Sequence, residues 1–165
     1  MIFKFLSKNF YINFSIVALI YSLDRLTKIY VIQLDKNNLG SDIFNSAYLN
    51  IVLIWNKGIA FGLLSFNESH LYNILSLIIS IIVVILVIMS LKSHGFKRYS
   101  LLMIVGGALG NLHDRIYFNA VPDFIDFHVG NFHWFIFNVS DIFITLGVIS
   151  MIVLELVDNK TEKTK

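Results

Sequence analysis

Leu71–Leu91 is a run of 21 residues without a single charge. A helix needs about 20 mostly apolar residues to cross the hydrocarbon of a bilayer. In that medium the backbone must satisfy its own hydrogen bonds, so a run like this folds as a spanning helix. The whole chain leans the same way: 56% of its 165 residues are hydrophobic and 15% are charged. Soluble domains hold roughly 45–50% and about 25%. An integral membrane protein forming one compact bundle is expected, rather than two domains.

Three more segments qualify. Phe10–Leu34 is apolar, with Asp24, Arg25 and Lys28 in its second half. Tyr99–Phe118 is uncharged until His113-Asp114-Arg115, and Asp141–Val157 begins at an aspartate. Lys4 and Lys8 ahead of Asn9–Leu23 have the layout of a signal peptide, but no small-residue cleavage site follows. The segment is therefore read as an uncleaved first span. The expected fold class is a membrane α protein, a four-transmembrane-helix bundle with spans at about 10–34, 71–91, 99–118 and 141–157. Residues 159–165 read as a disordered tail.

Four spans put both termini on one side. Lys4 and Lys8, then Lys92, Lys97 and Arg98, then Lys160, Lys163 and Lys165 all fall on that side. The excess of basic residues marks it as cytoplasmic. Because these residues flank apolar runs, the net charge of +2 is read as membrane anchoring, and no nucleic-acid partner is expected. The absence of cysteine excludes disulfides, thiolate catalysis and cysteine-based metal sites.

The opposite face carries Asp35–His70 and Asn119–Ser140. Tyr48–Trp55 is rich in aliphatic and aromatic residues and breaks at Asn56-Lys57-Gly58. Val121–Val129, Gly130-Asn131 and Phe132–Phe137 read as a hairpin with a two-residue turn. A small β-rich interfacial platform on the extracytoplasmic side is expected. Aromatic anchoring at the membrane surface explains its Trp and Phe, but not its Asn, Gly and Asp.

Those polar residues form a pattern. Asp123 and Asp141 lie 18 residues apart, on either side of the aromatic hairpin segment. Carboxylates at membrane depth are costly and mark function by default. Two that approach each other share a proton and become an acid/base couple. The plainer alternative is a helix cap at Asp141 and a solvated turn at Asp123. Asp24 and Lys28, four apart, share a helix face and can pair, which would also make insertion tolerable; Arg25 is expected to snorkel to headgroups. Gly106 and Gly110 give a small-xxx-small spacing for close helix approach. Asn111, Asp114 and Arg115 follow at helical spacing, as a structural or substrate-holding scaffold. Asn138 is a favoured N-cap three residues before Asp141. The five histidines show no spaced pair of the kind that binds a metal, so no metal and no cofactor are expected.

Five blocks then stand together: Asp24-Arg25-Leu26-Thr27-Lys28, Asn56-Lys57-Gly58-Ile59-Ala60-Phe61-Gly62, Gly106-Gly107-Ala108-Leu109-Gly110-Asn111-Leu112-His113-Asp114-Arg115, Val121-Pro122-Asp123-Phe124-Ile125 and Phe137-Asn138-Val139-Ser140-Asp141. In type and order they resemble bacterial lipoprotein signal peptidase (signal peptidase II), an integral aspartic protease of four helices. The resemblance implies that Asp123 and Asp141 are the catalytic dyad. It implies that Asn56, Gly58, Asn111, Arg115 and Asn138 shape or bind the substrate site, with Asp24 and Lys28 in support. The implied substrate is a prolipoprotein, cut before its diacylglyceryl-modified cysteine at the outer face of the bacterial cytoplasmic (inner) membrane. The expected partners are that substrate and membrane lipid, and the chain is expected to act as a monomer. Three residues depart from the family pattern: Arg25 where Gln is common, His113 where an aliphatic residue is common, and Ser140 where Ala is common. Ser140, beside the dyad, is expected to add a hydrogen bond there.

A small membrane transporter or ion-coupled carrier using Asp24, Asp114, Asp123 and Asp141 as a relay is the rival reading. It calls for acids near the midplane and repeated halves, whereas these acids gather at one face and no repeat is visible. A non-enzymatic lipid-binding or assembly protein would have no need of two aspartates at separate segment ends.

Overall fold

The computed structural model describes residues 8–38, 42–58 and 69–163. Lys4, the Ile59–Gly62 part of the second block and the last two residues lie outside them. Four helices and three strands follow in order: α1 (Lys8–Asn37), β1 (Leu49–Asn56), α2 (Ser69–Lys92), α3 (Gly95–Phe118), β2 (Val121–Val129), β3 (Phe132–Phe137) and α4 (Val139–Lys163). The strands form one antiparallel sheet in the order β1-β2-β3. Helix α4 continues to Lys163, so Asn159–Lys163 extend the helix where a disordered tail was expected. Each added residue of a formed helix gains one hydrogen bond, and Glu162 and Lys163 are good helix formers.

Helix α3 is central and packs against α1, α2 and α4. Its glycines are what let it do so. A Cβ on Gly106 would press on Ile20 of α1, one on Gly107 on the Ser140 carbonyl of α4, and one on Gly110 on both Asp24 and Ser140. Gly147 of α4 returns the contact against Ser100 and Ile104 of α3. Helix α2 and α4 are each long and apolar enough to cross a membrane, over Tyr72–Lys92 and Val139–Asp158. Only 11% of either window is buried within the protein, so their apolar surface faces outward, unlike the core helix of a soluble domain. Helices α1 and α3 carry more charge, and Asp24, Arg25, Lys28 and Asp114 are paired inside the bundle.

The platform is the expected hairpin with β1 added along β2. Gly130, at the first central position of the turn, has φ 57°, the conformation a II′ turn demands of glycine. Both ladders slip by one residue, in β1 between Ile51 and Ile54 and opposite β2 between Asp126 and His128; such bulges bend strands beside sites. Strand β3 pairs with β2 only as far as Phe137 opposite Ile125. Val121–Phe124 therefore have β1 alone as neighbour, which is where a strand tolerates Pro122. Asn119, left-handed at φ 54°, closes α3 and turns the chain directly into β2.

Candidate active site

The α1–α3 contact brings four charges together in a closed ring. Arg25 meets Asp24 Oδ2 at 2.9 Å and Asp114 Oδ1 at 2.6 Å; Lys28 Nζ meets Asp24 Oδ1 at 2.9 Å and Asp114 Oδ2 at 2.7 Å. Each carboxylate thus takes one oxygen to each cation, and the ring is neutral. Asp24, Lys28 and Asp114 are essentially inaccessible. The expected Asp24–Lys28 pair is present, but one expectation fails. Arg25 does not snorkel: its guanidinium turns inward, because a fork of N–H groups can bridge two carboxylates that one ammonium cannot saturate. Arg115, adjacent to Asp114 in sequence, does not pair with it. It points about a third of a helical turn away and donates to Gly58 O at 3.1 Å, fastening the end of β1 to α3.

Three asparagines orient the rest of the site, and the ring fixes the first of them. Lys28 donates its third hydrogen bond to Asn111 Oδ1 at 2.9 Å, so the Asn111 amide nitrogen faces Asp141 and donates to Oδ1 at 2.8 Å. Asn56 Oδ1 accepts the Gly58 N–H at 2.8 Å, leaving its nitrogen to donate to Asp123 Oδ2 at 2.9 Å. Asn138 Oδ1 accepts the Asp141 N–H at 3.1 Å, and its nitrogen donates to Asp123 Oδ1 at 2.6 Å. In every case the amide oxygen meets a group that can only donate, so the orientation is fixed by chemistry.

Asn138 serves both acids. Its side chain reaches Asp123, while its own N–H donates to Asp141 Oδ2 at 3.1 Å. With the reciprocal Asp141 N–H bond this is a capping box at the start of α4. The cap and the site share Asn138 and Asp141, so the sequence signal for a structural cap and that for a candidate functional carboxylate coincide. Ser140 departs from expectation. Its N–H donates to Asp24 Oδ1 at 3.0 Å, satisfying one of the four unpaired donors at a helix start, and its buried Oγ lies against Gly110, not the dyad.

All four oxygens of Asp123 and Asp141 thus accept from neutral donors, and among the described residues neither acid is in a salt bridge. Asp123, 4% exposed, has its carboxyl pushed up to about 6, first by burial and then by the nearby Asp141 charge, against the pull of Asn56 and Asn138. Both acids line a cavity of about 400 Å³ together with Asn56, Asn111 and Arg115. Below them its wall is aliphatic, from Ile79 of α2 and Ile144, Val148 and Ile149 of α4. This lining from α2 and α4 carried no sequence signal beyond apolarity. The arrangement sets two carboxyls, each held by neutral amides, at the polar end of an apolar slot.

The same architecture occurs in solved bacterial membrane enzymes. One, determined by the in meso method at 2.3 Å, superposes with a TM-score of 0.74 at 29% identity, covering 93% of this chain and 92% of that one. A second, at 1.9 Å, gives 0.71 at 30% identity over 87% and 92%. A family model described as signal peptidase (SPase) II matches residues 16–157. The lipoprotein signal peptidase of Pelagibacter ubique is 48% identical over 152 residues, 92% of each chain. That of Anaplasma phagocytophilum is 41% identical over 148 residues, 88% of this chain and 92% of the relative. The fold is thus that of a membrane-enzyme class. The chain belongs to the signal peptidase II family, and is a protease by that membership.

Two outcomes are expected from this geometry. Lys28→Met keeps the volume but leaves two buried carboxylates sharing one guanidinium; breaking a buried pair costs about 3–5 kcal/mol. Thermal unfolding in detergent should show the loss, and adding Asp114→Asn should restore part of it. Separately, the raised Asp123 carboxyl penalises the folded state once it ionises: the penalty is absent well below the ordinary carboxylate range and complete above about pH 6. The melting temperature of Asp123→Asn relative to wild type should therefore climb as pH goes from 4 to 8. A difference that stays flat would show that Asp123 titrates normally.

Proposed function

We propose that the chain is an aspartic endopeptidase of the bacterial cytoplasmic membrane that removes signal peptides from prolipoproteins, cutting before the diacylglyceryl-modified cysteine. The observation that carries the reading is the contrast among the four acids. Asp24 and Asp114 are consumed by the cation ring, whereas Asp123 and Asp141 reach a cavity with only neutral donors on their oxygens. The family membership and the names of its relatives point to the same substrate.

In the proposed mechanism the pair shares one proton. The ionised carboxylate takes a proton from water as the water oxygen attacks the scissile carbonyl, and the protonated partner donates to that carbonyl oxygen. The tetrahedral intermediate then collapses: the C–N bond breaks, the amine leaves with a proton from the pair, and the signal peptide departs as a carboxylic acid. The pair titrates as a unit, so the starting proton is assigned to both. Asn56, Asn111 and Asn138 hold the carboxyls at fixed orientation in either charge state, because a neutral amide does not itself titrate there. Arg115 and Gly58 shape the peptide path, and the aliphatic wall takes apolar parts of the substrate. Both acids and all their donors come from one chain, so a monomer suffices.

The proposed topology has four spans, with both termini cytoplasmic and the sheet outside. The charges of α1 and α3 do not count against this, since the ring cancels four of them before lipid is met. Reporter fusions after residue 95 and after residue 130 should report opposite sides of the membrane; the same side for both would end the four-span arrangement.

The catalytic assignment is tested by turnover of a diacylglyceryl-modified prolipoprotein by purified variants. Asp123→Asn and Asp141→Asn should each abolish cleavage while the protein still folds, and the double variant should be no worse than either single one. Asp114→Asn should lose stability first. Substantial turnover by either dyad variant would overturn the dyad.

A further inference from the structure

On the far side of α3 from the dyad, a groove of about 450 Å³ runs between α1 and α3. Its walls are apolar, Phe14, Val17 and Ala18 on one side and Leu109 and Ile116 on the other. One polar feature interrupts them. Tyr21 OH and His113 Nδ1 are 2.8 Å apart, with Tyr117 stacked on the imidazole at 6.0 Å between centroids. In the tautomer in which Tyr21 donates to Nδ1, the hydrogen sits on Nε2, and His113 is exposed on a helix whose neighbours Ile116 and Tyr117 are exposed too. A donor facing lipid is costly unless an acceptor meets it.

The groove has a measurable depth. Ile20 lies against Gly106 and Asp24 against Gly110, so α1 and α3 run side by side in register, offset by 86 in numbering. Phe14 is thus level with Ser100, 13 residues below His113, or about 20 Å by helical rise. One leaflet of hydrocarbon is about 15 Å deep. In the orientation proposed above, on which this inference rests, His113 lies toward the outer interface and the groove descends from it through one leaflet.

We propose that this groove is a binding site for a single glycerophospholipid of the outer leaflet, with an ester or phosphate oxygen on His113 Nε2 and an acyl chain along Ala18, Val17 and Phe14. A polar donor at the top and an apolar slot of leaflet depth beneath it match an amphiphile. A neighbouring helix would leave the imidazole donor without an acceptor unless it brought a polar residue to that level.

The test uses delipidated full-length protein in dodecyl maltoside, titrated with palmitoyl-oleoyl phosphatidylglycerol and followed by native mass spectrometry and thermal unfolding. Wild type should retain one lipid saturably and gain melting temperature; glycerol 3-phosphate alone should not compete. His113→Leu should raise the half-saturation point about tenfold, the worth of one hydrogen bond, and Ala18→Phe should remove the bound lipid by filling the slot. Prolipoprotein cleavage by His113→Leu should match wild type, which separates this site from the dyad; failure of wild type to cleave would instead count against the proposed reaction alone. Unchanged lipid retention in both variants overturns the site. So does a dimer in wild type that Ala18→Phe dissolves, since a second copy would then be the occupant, and so does effective competition by glycerol 3-phosphate.

Discussion

The ring of Asp24, Arg25, Lys28 and Asp114 is the constraint from which the site follows. Buried charges are tolerable only when paired and fully hydrogen-bonded, and here each carboxylate oxygen has a cation and each cation two anions. That requirement pins α1 against α3 at one register, and glycines at 106 and 110 make the approach short enough for it to close. The ring then reaches outward by single hydrogen bonds. Lys28 fixes Asn111 and through it Asp141, while Asp24 accepts the Ser140 N–H and draws the start of α4 inward.

Charge and function are divided accordingly. The four ring charges hold helices together, while the oxygens of Asp123 and Asp141 are bonded by amides, with Arg115 on the same cavity wall. A cation on Asp123 or Asp141 would favour the ionised form. Neutral donors orient the oxygens while leaving burial free to raise the Asp123 carboxyl. That the third asparagine, Asn138, is also the cap of α4 means that forming the helix and setting the dyad are one event.

Much of this was legible in the chain. Four helical segments, the hairpin with its Gly130-Asn131 turn and the Asp24–Lys28 pair follow from spacing and residue type, whereas the gathering of Asn111 and Asn138 around Asp123 and Asp141 is what the family resemblance implies. What spacing could not resolve was partner choice among equivalents. Asp114 has Arg115 beside it in sequence, but adjacent helical residues diverge by about 100°, and its partners come from another helix. Arg25 was read as an anchor because a sequence does not show that a second carboxylate waits on α3. Ser140 was assigned to the dyad for the same reason: its neighbours in sequence are not its neighbours across the helix start.

The joint between β3 and α4 has no slack. Phe137 is the last residue paired with β2, opposite Ile125, and the next residue is already the cap that grips both acids. Length is therefore a conserved quantity at the base of the hairpin in a mechanical sense: one residue more or less there would rotate the cap away from Asp123 or pull Phe137 out of the sheet. At the other end of the same strand, Gly130 and Asn131 carry none of these bonds. The hairpin behaves as a lever with a free tip and a welded root, open to lengthening at the tip and closed to it at the root.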